Sequence, residues 1–297
     1  MRIAFITLLL SLSCFASVNF KAHVAINGVK DTTVDPGAPI AIEIFFSNPQ
    51  TQKVYKEFHQ ADGKLMHLVL VKNDLSTFKK VYPYFDPASG IFRITLNTPH
   101  SDTDNLQASK AIHSPGRYFF IVQVHSSEGG LFSSHFSLNA SGDSTKTPVD
   151  LDPIDADMTI TKYFGKEEKS SLPYYKAKLS HKTTSVCKAI ANEFTLEISV
   201  LDEDTNKYLP IKDTIQILGK DAQAVWLSST LASGHTSHHA IFSGSAANEK
   251  LVFKYHDQGT LLPGVQKVWF QIKHEGRLIT MPFVFEYNPE PVTGDNC

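Results

Sequence analysis

The sequence has few cysteines and no surplus of charge of either sign. Only 3 of its 297 residues are Cys, and 28 Lys and Arg stand against 30 Asp and Glu, for a formal net charge of −2. Without a basic surplus the chain cannot neutralise a phosphate backbone, so we expect no nucleic-acid partner. No Cys-x-x-Cys pair is present, which argues against thioredoxin-like redox chemistry.

Signatures of common catalytic sites are also missing. The chain has no Gly-x-Ser-x-Gly elbow, no His-Glu-x-x-His, no P-loop and no Gly-x-Gly-x-x-Gly after a strand. The carboxylate pair Glu167-Glu168 lies between Lys166 and Lys169 in a charge-mixed segment, which gives a glycosidase no geometric support. We therefore predict that the protein is not an enzyme.

The N-terminus has the pattern of a secretory signal peptide. Met1-Arg2 precedes the apolar run 3–10, and small residues lead to Ala16, so residues 1–16 are predicted to be removed. Acylation of Cys14 is an alternative, although Ser11 stands where lipoprotein signals carry Leu. No later run is long enough to span a bilayer. The mature chain is predicted to be periplasmic or secreted, with no membrane span.

Cleavage after Ala16 would leave two cysteines, Cys187 and Cys297. In an oxidising compartment two thiols favour one disulfide, which would fix the C-terminal tail to the second half of the chain. A loose tail with a free Cys297 is the alternative.

The two halves of the chain resemble each other. Pro115-Gly116 is followed by a strand-like run that reaches Gln123, and Pro263-Gly264 is followed at the same spacing by Gln271. The run 66–71 likewise parallels 222–227, in the same order along the chain. This internal repeat predicts two related domains, 17–150 and 151–297.

Period-two patterns in both copies predict β-strands. Alternate positions are apolar and predict an inner face, formed by Phe120, Val122 and Val124 in the first copy and Val268, Phe270 and Ile272 in the second. Many short strands separated by Gly, Pro and Asp turns are typical of sandwiches. We predict an all-β protein of two tandem immunoglobulin-like antiparallel β-sandwich domains. One segment, 104–113, is predicted to be helical.

The first copy resembles a known family. The run Lys64–Val71, then Asp74-Leu75-Ser76, Phe78 and Pro83, is similar to the secreted YtkA-like family. That resemblance implies an immunoglobulin-like sandwich and a setting of copper or other heavy-metal handling. The family pattern has histidines where this chain has Lys80 and Tyr82. Of a metal site implied by the resemblance, only His67 is matched.

A histidine-rich run in the second half is the best candidate for a metal site. His235, His238 and His239 lie close together, and His256 closes the next predicted strand. Neutral imidazole is a common ligand for Cu and Zn. The run therefore suggests a copper or zinc site with His235, His238 and His239 as ligands and His256 and His67 as weaker candidates. A solvated polar loop is the alternative.

The sequence supports two classes of binding function. The preferred hypothesis is an exported, non-enzymatic binding module that handles copper or zinc outside the cytoplasm. The alternative is a metal-free interaction or structural module that binds an extracytoplasmic protein or a glycan. The aromatic run Tyr82, Tyr84 and Phe85 would favour the metal-free interaction module if these rings are exposed and contiguous.

Overall fold

The structure is a computed structural model. It describes residues 20–28, 33–61, 63–99, 103–127, 130–143, 159–164, 174–186, 189–211, 222–228, 239–247, 250–257, 263–275 and 277–288. The predicted leader 1–16 and the predicted boundary near Asp150 lie outside these ranges. In the described part, no helix is both long and apolar enough to cross a bilayer.

Strands between residues 20 and 143 form two layers. They are β1 (Lys21–Ile26), β2 (Thr33–Val34), β3 (Ile40–Ser47), β4 (Phe58–His59), β5 (Met66–Lys72), β6 (Phe78–Val81), β7 (Tyr84–Asp86), β8 (Ile91–Leu96), β9 (Gly116–Ser126) and β10 (Gly130–Ala140). One sheet has the order β1-β3-β8-β7 and the other β2-β10-β9-β5-β6, with β4 beside β9. This partition of strands is the one found in immunoglobulin-like sandwiches.

Strands after residue 158 also enclose one core. They are β11 (Thr159–Phe164), β12 (Tyr175–Val186), β13 (Ala189–Asp202), β14 (Lys207–Pro210), β15 (Ala222–Ser228), β16 (His239–Ala247), β17 (Lys250–Asp257), β18 (Gly264–His274) and β19 (Arg277–Tyr287). Hydrogen bonds join them into one sheet of order β11-β12-β13-β17-β16-β15-β18-β19, with β14 beside β13. The sheet is continuous because β16 pairs with both β15 and β17.

That continuous sheet folds over on itself, so it still packs as a sandwich. Phe194 of β13 contacts Trp226 of β15 at 5.1 Å between ring centroids, and Phe253 of β17 contacts Phe270 of β18 at 4.8 Å. These rings belong to one buried cluster with Tyr287 of β19. The predicted all-β, antiparallel sandwich class is therefore confirmed.

The predicted inner faces lie in these cores. Phe120, Val122 and Val124 belong to the first core, and Val268, Phe270 and Ile272 to the second. The alternation of strand side chains explains this result, because every second residue faces the same layer. The segment 104–113, predicted to be helical, overlaps a 3-10 helix, Thr103–Lys110.

The turn between β7 and β8 shows how local sequence fixes a connection. Gly90 has a φ of 77°, a region that L side chains rarely adopt, and its amide donates to the Asp86 carbonyl at 2.8 Å. A Cβ on Gly90 would also lie 2.8 Å from the Val54 side chain. The turn at Asp86–Gly90, one of the Gly, Pro and Asp turns of the sequence, thus requires glycine at its last position.

The two halves share the same strand register. Met66 pairs with Val124 between β5 and β9, and Ala222 pairs with Ile272 between β15 and β18. These four positions correspond in the sequence repeat. The two halves therefore contain the same central pair of strands, and each pair has one face on its own core.

Candidate functional site

The other faces of these central strands pack against each other. Val69, Val71, Leu75, Phe119 and Ile121 of the first half form one buried cluster with Val225, Leu227 and Trp269 of the second. We call this cluster the interdomain surface. The Phe78 and Trp269 rings stack across it, with centroids 5.0 Å apart and planes 20° apart. Each half thus covers the outer face of the equivalent strands in the other.

Polar side chains flank the interdomain surface. Lys80 Nζ donates to Gln223 Oε1 at 3.3 Å, and Gln223 Nε2 donates to Gln123 Oε1 at 2.9 Å. At another point, Lys267 Nζ donates to the Leu75 carbonyl at 3.1 Å. Lys80 is only 1% exposed. Buried polar groups need such partners, so these bonds restrict how the two halves dock.

His67 lies at the same end of the interdomain surface as Lys80. Its side chain is buried, and its Nε2–H donates to the Ala61 carbonyl at 2.9 Å. Its Nδ1 is buried and has no hydrogen-bond partner among the described residues. Burial lowers the pKa of His67 to about 3, with a further lowering by the positive charge of Lys80. His67 is therefore a neutral imidazole at neutral pH.

Tyr82 and Lys80 lie beside His67. The Tyr82 ring contacts the His67 ring edge-on at 5.2 Å, and the Lys80 ammonium acts on the same imidazole. An ammonium repels a metal ion, and a protonated phenol is a poor ligand. Lys80 and Tyr82 therefore disfavour a cation at His67, although the imidazole itself is buried and neutral.

The histidine-rich run is only partly described. His235 and His238 lie outside the described residues, and so do Cys187 and Cys297. His239 begins β16 and pairs with Leu227 of the interdomain surface, whereas His256 on β17 pairs with Ala191. The backbone thus places His239 in the layer that faces the first half, and His256 in the opposite layer. Among the described residues, no three or more His, Cys, Asp or Glu side chains group to hold an ion.

One pair of histidines was missed by the sequence analysis. His59 on β4 pairs directly with His125 on β9. The two residues are distant in the sequence, and β4 is too short for a period-two pattern. No signal in the sequence could therefore have paired them.

The aromatic run predicted near residue 84 is not one exposed patch. Tyr84 is 74% exposed, but Phe85 packs against Phe58 and Phe92, and Tyr82 contacts His67. The rings separate because residues 84 and 85 alternate between the two faces of β7.

A different aromatic surface lies on the second half. Tyr163 on β11 is 51% exposed, and its ring centroid is 5.7 Å from that of Tyr208 on β14. The Lys176 ammonium lies over the Tyr208 ring. We call Tyr163, Lys176 and Tyr208 the tyrosine surface.

Fold and packing define an all-β protein of two immunoglobulin-like sandwiches that pack through equivalent faces. No family model matches the chain, and no curated protein matches it. Among solved structures it is similar to the Salmonella alpha-2-macroglobulin reacted with methylamine, at 9% identity and a TM-score of 0.26. The match covers 90% of this chain but only 14% of that protein.

Proposed function

We propose that this protein is a non-enzymatic binding module that acts outside the cytoplasm and handles copper or zinc. The observation that supports a binding module best is the interdomain surface. It buries the outer faces of both central strand pairs and holds the two halves against each other, which gives the loops a fixed scaffold. Loops on a fixed scaffold are the usual place for binding residues.

The ligands of this metal site would be His235, His238 and His239. His239 begins β16 beside the interdomain surface, so the run is attached to the part of the scaffold that both halves hold in place. His256, in the opposite layer, and His67, beside Lys80, are weaker candidates. Imidazole nitrogens favour Cu(II) over Zn(II) by the usual order of divalent affinities.

Calorimetric titration tests this proposal. The chain from Ser17 onward should bind Cu(II) saturably, and Zn(II) more weakly. Replacing His235, His238 and His239 together by Ala should weaken Cu(II) binding by about tenfold or more, since loss of metal-site groups has effects of at least this size.

The matched control for this titration replaces exposed histidines elsewhere. His113→Ala and His135→Ala together remove two exposed imidazoles and should leave the high-affinity binding unchanged. Equal weakening in the control and the triple variant would show that histidines bind copper without a defined site. Unchanged Cu(II) binding in the triple variant would show that His235, His238 and His239 are not the ligands.

The tyrosine surface favours a second candidate function, a metal-free module that binds a glycan. Exposed tyrosines present an apolar ring with a polar hydroxyl, which suits the faces and hydroxyls of sugars. Chito-, cello- and malto-oligosaccharides are suitable probes, with tyrosine fluorescence and NMR shifts as the measurements. Binding should be lost in Tyr163→Ala and kept in Tyr84→Ala, which removes an exposed tyrosine elsewhere. Binding that survives Tyr163→Ala would rule this surface out.

A further inference from the structure

Two histidines face each other at the short strand that extends the sheet beside β9. His59 on β4 and His125 on β9 are direct partners in an antiparallel ladder. Directly opposite residues of such a ladder have Cβ atoms about 4.5–5.5 Å apart, on the same face of the sheet. Two imidazoles at this separation are suitably placed to bind one ion.

The chemistry of His125 suits a metal ligand. Its Nε2 is buried and has no hydrogen-bond partner among the described residues. A buried ring nitrogen without a hydrogen-bond partner is available to bind a metal ion.

The charges nearby favour this pair over His67. Lys80 and Lys64 both act on His67, whereas the interactions that shift the pKa of His125 include no lysine. Glu57 lies two residues before His59, and its carboxylate accepts a hydrogen bond from the Ser127 hydroxyl at 3.4 Å, just beyond the paired residues of β4 and β9.

From this arrangement we propose that His59 and His125 form a Cu(II) site, separate from the histidine-rich run in the second half. The pair supplies two nitrogen ligands, and water completes the coordination, because no group of three or more ligand side chains occurs in the described part of the chain. Copper is the expected ion because it binds nitrogen ligands more strongly than the other divalent first-row metals. This site does not depend on the proposed function, since it shares no residue with that site.

The experiment uses the chain from Ser17 onward with His235, His238 and His239 replaced by Ala. This background removes the proposed site in the second half, so the two proposals can fail separately. Cu(II) should still bind saturably, and electron paramagnetic resonance should show coupling to two imidazole nitrogens. His59→Ala and His125→Ala should each weaken this binding by about tenfold or more.

His135→Ala is the control, because it removes an exposed histidine from the neighbouring strand of the same sheet. It should leave copper binding unchanged. Since His59 is exposed, His59→Ala should keep the fold, which circular dichroism can verify. The proposal is overturned if copper does not bind in this background, or if His59→Ala and His135→Ala have the same effect.

Discussion

Acidification from pH 7.5 to pH 4 should lower the free energy of unfolding by about 3 kcal/mol through His67 alone. The folded-state pKa of His67 is about 3, below the ordinary value of 6.5. As the pH falls, the unfolded chain therefore takes up a proton on His67 at a higher pH than the folded chain does. The contribution of His67 to the free energy of unfolding is complete above pH 6.5 and is lost as the pH falls towards 3. Burial also lowers the pKa of His181 and of His125, which adds to the loss.

Urea denaturation of His67→Gln at both pH values isolates the His67 contribution. Glutamine is a matched replacement because Gln223 occupies the equivalent position in the second half and is also buried. Between pH 7.5 and pH 4 this variant should lose about 3 kcal/mol less stability than the wild type. The same pH dependence in both proteins would mean that His67 is not buried in its neutral form.

Trp269→Ala should destabilise the protein by about 3–5 kcal/mol, as is usual for a buried aromatic truncated to Ala. Trp269 is buried in the interdomain surface and stacks on Phe78, and the Lys267 ammonium lies 5.4 Å from its ring centroid. The core of the second half contains Trp226 instead, so it stays intact. The lost free energy of unfolding should therefore come from weaker packing between the two halves and not from the core of the second half.

A double-mutant cycle in urea denaturation checks where this energy comes from. Trp269→Ala and Phe78→Ala should be non-additive, with a coupling of about 0.5–1.5 kcal/mol for the stacked rings. Trp269→Phe should cost less than Trp269→Ala because an aromatic contact remains. If the destabilisations caused by Trp269→Ala and Phe78→Ala simply add, the two rings do not stack on each other between the two halves.

The sequence predicted the fold well where the evidence was local. Period-two alternation identified the inner faces around Phe120 and Phe270, because side chains along a strand point alternately to opposite faces. The Asp86–Gly90 turn could be predicted because only glycine readily adopts its last backbone conformation. The repeat was visible because both copies keep Gln at the same distance from Pro-Gly.

The proposed metal sites differ in how far the sequence reveals them, for a physical reason. The run His235, His238 and His239 is visible because its members are neighbours in the chain, and it remains a prediction. His59 and His125 are distant in sequence and come together only through the pairing of β4 with β9. A short strand such as β4 carries too few residues for its register to be read from alternation.

The sequence by itself determined the all-β class, the inner faces and the tight turns, because each follows from residues close together in the chain. Only the tertiary structure decided what covers the outer faces around Ile121 and Trp269. Alternation shows which residues share a face, but not whether water or another domain lies against it. Here the answer is the equivalent face of the other half, and the buried Lys80–Gln223 contact beside His67 results from that packing.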